Sequence, residues 1–87
     1  MREVTVTDHH ETGLHARPAA RVVSLASRFK SALVIQKGNQ TTDLRSLIGL
    51  LSLGICHQDT ITIRAEGKDE SEAVKEIAAL LENLERD

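Results

Sequence analysis

Residues 31–44 read SALVIQKGNQTTDL. The runs on either side of Gly38 and Asn39, a pair suited to positive φ, predict a hairpin of two strands. Outward from it, residues 47–53, LIGLLSL, are apolar on nearly every side and predict a short helix pressed against the sheet or against another protein. Residues 60–67, TITIRAEG, alternate Ile61, Ile63 and Ala65 as a further strand that Gly67 closes. From Asp69 to Glu85 an apolar stripe of Ala73, Val74, Ile77, Ala78, Leu81 and Leu84 follows an acidic start and predicts the last helix. Upstream, residues 2–8, REVTVTD, put Val4 and Val6 on one face as a half-buried strand does. Residues 16 to about 28 then carry Ala19, Ala20, Val22, Val23 and Ala26 at helical spacing, with Arg17, Arg21 and Arg28 interleaved. Pro18 fits the first turn of that helix, where the N–H it lacks has no intrahelical partner.

The order is β-α-β-β-α-β-α, without repeat or linker. It predicts an α+β fold, an open-faced β-sandwich in which three helices cover one face of a four-stranded antiparallel sheet. The 87 residues are read as one domain, 1–87. A chain of this size hides only about 60% of its unfolded surface, so its core must be compact. The longest apolar stretch, LIGLLSLGIC over 47–56, is interrupted by serine and glycine and is far too short for a membrane span. The alternating N-terminus lacks the apolar core of a secretion signal. A lone cysteine, Cys56, forms no internal disulfide, so a cytoplasmic protein is expected. Residues 1–46 hold seven Lys/Arg against four Asp/Glu, and residues 47–87 hold four against nine. The basic half could steer an acidic partner. Nucleic acid is not expected, because Phe29 is the only aromatic and base stacking needs more platforms.

Residues 13–20, GLHARPAA, place His15 at the expected N-cap of the first helix, where free first-turn N–H groups bind anions. The positive helix end disfavours a protonated imidazole and leaves a neutral ring nitrogen as a nucleophile. Arg17 adds a planar cationic fork suited to phosphate oxygens. Gly13 permits an unusual turn just before. The stretch can therefore accept a phosphoryl group. It can equally be a helix cap beside a surface arginine, and the residues alone leave both readings open.

GLHARPAA resembles the active-site signature of the HPr phosphocarrier family of the phosphoenolpyruvate-dependent sugar phosphotransferase system. LRSLIGLLSLG, residues 44–54, is similar to the segment that carries a regulatory serine in that family, here Ser46. The spacing of the two motifs, the chain length and the element order correspond as well. The resemblance implies that His15 accepts a phosphoryl group on Nδ1 from enzyme I and hands it to sugar-specific components, with the protein a carrier rather than an enzyme. Arg17 would hold the phosphate and Pro18 would shape the cradle. Ser46, also a favoured helix N-cap, would be the target of a serine kinase/phosphorylase, and a catabolite-control regulator would read the result. Leu47, Ile48, Leu50 and Leu51 would give a docking patch, although some of these leucines must be core. Ala20 and a basic rim of Arg21, Arg28 and Arg45 would surround the His15 face. Ile48 and Leu51 stand where Gram-positive relatives usually carry methionine, a less flexible choice for a surface with many partners.

Two rival readings follow. One is a regulatory binding module that works through the Ser46 face alone, against which the presence of His15 argues. The other is a carrier of a specialised phosphotransferase branch. No cofactor and no metal are expected: His9, His10 and His57 show no ligand spacing, and Cys56 has no basic neighbours in sequence to make it reactive. No nucleotide-binding loop occurs.

Overall fold

The computed structural model describes residues 1–7, 16–54 and 59–83, with the side chains of Ala16 and Asn83 set aside. The elements are β1 (Arg2–Thr7), α1 (Ala16–Ala26), β2 (Ala32–Lys37), β3 (Gln40–Asp43), α2 (Leu47–Ser52), β4 (Thr60–Glu66) and α3 (Glu70–Asn83). The expected order β-α-β-β-α-β-α is the observed one. The strands form one sheet in the order β1-β4-β2-β3, antiparallel throughout. The hairpin turns at Gly38, whose φ of 60° is the left-handed value that favours glycine.

Alternation along the strands decides which face is covered. Val6 lies opposite Ile61, Val4 and Ile35 opposite Ile63, and Leu33 opposite Ala65. All but the half-buried Val4 are buried. Against this face pack Ala19, Val22 and Ala26 of α1, Leu50 and Leu53 at α2, and Ala73, Ile77 and Leu81 of α3. The intervening residues make a mostly polar outer face: Arg64 Nε donates to Glu3 Oε2 at 2.7 Å, Arg64 Nη2 donates to Gln36 Oε1, and Thr5 meets Thr62. The three helices thus share one face, as the sequence pattern requires.

Two features of α1 differ from the sequence reading. The helix expected to run to about residue 28 ends at Ala26. Arg28 and Phe29 donate their N–H groups to Leu25 and Ala26 in a tightened last turn. The next two N–H groups leave the helix altogether, Lys30 N donating to Asp69 Oδ2 and Ser31 N to Asp69 Oδ1, each at 2.9 Å. The second difference is Ala20, read into the apolar stripe of α1 but exposed, because Ala19 and Val22 set the rotation of the helix. Leu84, the last member of the α3 stripe, lies outside the described residues.

The end of α1 is held from two sides. Asp69 accepts from Lys30 N, Ser31 N and Ser31 Oγ, while Arg45 Nη2 donates to Phe29 O at 2.5 Å and Ser31 O at 2.9 Å. The hydrogen bond from the Ser31 hydroxyl, then that from Lys30 N, hold the Asp69 carboxyl below its ordinary 3.8. Gly67 lies so close that a Cβ there would sit 2.7 Å from Ser31 Oγ.

Candidate functional site

The start of α1 is the residue after His15. His15 and Gly13 themselves lie outside the described residues. Ala19, Val22 and Ala26 are each fully buried, and this fixes the rotation of the helix. Arg17, Arg21, Ser24 and Arg28, spaced by four, three and four residues, consequently fall on one outward line, all exposed. Arg17 stands in the first turn, and no described residue pairs with it. Pro18 is buried and takes one N–H out of that turn. The first turn of α1 holds no acidic residue. A helix start with a forked cation and no acidic side chain in its first turn is chemically fitted to receive phosphate oxygens.

A shallow groove runs beside this ridge between α1 and α3, lined by Arg21, Ser24, Leu25, Arg28 and Leu80. On the opposite flank α1 packs against α2. Ser46 is the N-cap of α2, with φ −99° and ψ 106°, and its Oγ accepts from Gly49 N at 3.0 Å. Its carbonyl accepts from Leu50 N and its own N–H reaches Asp43 O. Gly49 lets the helix approach β3, since a Cβ on it would fall 2.0 Å from Thr42 Oγ1.

The apolar patch expected on α2 divides. Leu50 is only 1% exposed and belongs to the core, Leu47 and Leu51 are half-buried against it, and Ile48 is 76% exposed. Of the cations expected in the basic rim, Arg45 has its guanidinium bonded within the fold, committed to the Phe29 and Ser31 carbonyls at the C-terminal end of α1. Sequence reasoning missed Asp69, Ser31 and Arg45 as a unit, because nothing local in the chain announces a contact 38 or 14 residues away. His9, His10, His57 and Cys56 lie outside the described residues.

Over residues 1–83 the chain matches the family model described as the PTS HPr component phosphorylation site. The chain belongs to the HPr family. It is 49% identical over 83 residues to the phosphocarrier protein HPr of Mycoplasma genitalium, a match covering 94% of each chain. Its fold is that of HPr-C-His from Thermoanaerobacter tengcongensis, with a TM-score of 0.94, 40% identity and coverage of 100% of this chain and 98% of that one. It is also similar to Crh, the Bacillus subtilis catabolite repression protein, seen there as a domain-swapped dimer, with a TM-score of 0.77, 36% identity and 95% coverage of both chains.

HPr proteins are phosphocarriers of the phosphotransferase system, and that general role holds for this chain. Among the described residues no helix is long and apolar enough to cross a membrane. Within the HPr frame, Arg17 and Pro18 occupy the first turn of α1 and Ser46 caps α2.

Proposed function

We propose that His15 accepts a phosphoryl group on Nδ1 from the phosphohistidine of enzyme I and passes it to sugar-specific phosphotransferase components in the cytoplasm. The observation that carries this reading is the start of α1. It follows His15 directly, exposes Arg17 in its first turn and has no acidic side chain there. The phosphorus–nitrogen bond to the donor ring breaks as the bond to His15 forms, roughly in line, and the same exchange runs onward to the acceptor. Arg17 holds the phosphate oxygens, and Pro18 shapes the turn around them. Ala20, Arg21 and Arg28 along the ridge, with Ile48 and the flanks of Leu47 and Leu51, dock the partners. Arg45 serves the fold instead.

Ser46 is the regulatory position of this reading. A serine kinase/phosphorylase adds charge beside the docking face with little change to the fold, and a catabolite-control regulator reads that charge.

The test is incubation with enzyme I, phosphoenolpyruvate and magnesium, followed by intact-mass measurement before and after mild acid. One acid-labile phosphoryl group, absent in His15→Ala, is expected. No added mass, with enzyme I active on a control carrier, overturns the carrier reading. That result would favour the second reading, which similarity to Crh supports: a regulatory module acting through the Ser46 face.

A further inference from the structure

α2 spans six residues, too few to hold a helix by local hydrogen bonding alone, so its position is set by anchors at its ends. The N-terminal end has two, the Ser46 cap and the contact of Gly49 with Thr42. At the C-terminal end the backbone stops on Leu53, which is buried, and turns at Gly54 with φ +62°. Leu53 N and Gly54 N donate back to Leu50 O and Leu51 O. That turn presents the Gly54 carbonyl to Lys37, whose Nζ donates to it at 2.6 Å. The same ammonium pairs with Asp59 Oδ2 at 2.9 Å.

Lys37 is well placed to be an anchor rather than a passenger. It is the last residue of β2 and lies opposite Gln40 across the hairpin. Asp59 immediately precedes β4. One cation therefore ties the end of a sheet strand to the stop of α2 and to the start of another strand. A positive charge at a helix C-terminus is also the favourable sign for the helix dipole.

We propose that Lys37, bonded at once to the Gly54 carbonyl and the Asp59 carboxylate, is a positioning residue that latches the C-terminal end of α2. The consequence for partners rests on the reading of α2 as part of the docking face. Lys37 acts through the helix it holds. Both members of the ion pair are 30% exposed, so the latch adds little to global stability and acts locally.

The experiment compares wild type, Lys37→Met and Lys37→Arg by amide hydrogen exchange and by phosphoryl transfer from enzyme I. In Lys37→Met the Leu53 and Gly54 amides should exchange about tenfold faster or more, as for a local opening, while Ile63 and Ile77 stay within about threefold. The KM for phosphorylated enzyme I should rise several-fold at unchanged kcat, about threefold or more. Lys37→Arg, which keeps a cation able to donate twice, should restore both. Exchange that rises equally everywhere or not at all, an arginine variant that behaves like methionine, or a KM that stays fixed while the helix end loosens overturns the proposal. Failure of the carrier reading would show separately, as wild type taking no phosphoryl group, and the exchange result would then decide the latch alone.

Discussion

α1 and α3 lie on the same face of the sheet, yet their beginnings are opposite in charge. α3 starts with Glu70 and Glu72 in its first turn, directly after Asp69, so carboxylates complement the positive end of its dipole. α1 has no acid in its first turn and carries Arg17 there, a like charge against that same positive end. One helix start carries its complementary acids in its own first turn, and the other carries a cation there instead. The difference teaches that a binding function can be legible as a local departure from what stability alone would select.

The sharpest way to break this contrast is Arg17→Glu, which gives α1 the kind of start α3 has. Transfer from enzyme I should fall by about 10- to 150-fold, the value of a hydrogen bond to a charged group at about 1.5–3 kcal/mol. The unfolding midpoint should hold or rise, since an acid near a helix start stabilises by about 0.3–1 kcal/mol. Equal transfer kinetics would remove Arg17 from the phosphate site, and a large drop in the midpoint would show that its role is structural.

A second test acts on the start of α3. The Asp69 carboxyl is held below 3.8 by hydrogen bonds from Ser31 Oγ and Lys30 N. The native state therefore binds fewer protons than the unfolded chain, and the stabilisation is present above the unfolded value and lost as pH falls through the folded one. Asp69→Asn should unfold more readily than wild type at neutral pH in urea titrations, with the gap closing below about pH 4. A gap that is the same at pH 7 and pH 3 would show that ionised Asp69 contributes nothing.

The smallest effect concerns the third helix start, which is neutral. Ser46→Ala removes the hydroxyl that accepts from Gly49 N and should cost about 0.5–2 kcal/mol in the same titration. Ser46→Asp keeps an acceptor at the cap and should cost less, while slowing transfer from enzyme I. Equal transfer rates for serine and aspartate would count against a regulatory charge at this position.

Most of the fold could be read from the chain because its signals are local. Ile61, Ile63 and Ala65 alternate, Ala73, Ile77 and Leu81 recur at helical spacing, and Gly38 marks the hairpin. The candidate site could be proposed from the sequence for the same reason, since His15, Arg17 and Pro18 stand within four residues of one another. What was not legible depends on reach across the fold. The end of α1 is set by Asp69, and no property of Lys30 and Ser31 says that their N–H groups will find a carboxylate there. Arg45 reads as one more surface cation because its sequence position gives no hint of the carbonyls it bonds. Of the α2 leucines, sequence could say that some were core but not that Leu50 was the one, because an apolar run has no polar face to fix its rotation.

The strand order β1-β4-β2-β3 has a consequence for how the molecule is made. β4 lies between β1 and β2 and pairs with both, so neither of its two ladders can form until residues 60–66 exist. On the ribosome, everything through α2, including His15 and Ser46, is synthesised before the strand that joins the sheet into one piece. Long-range pairing of this sort delays folding relative to helical chains. A nascent or truncated chain ending at Asp59 is thus expected to expose residues 13–20 and 44–54 without the sheet that supports them. Circular dichroism of a 1–59 fragment would show coil where the full chain shows β-structure, and a β spectrum would mean the first three strands pair on their own.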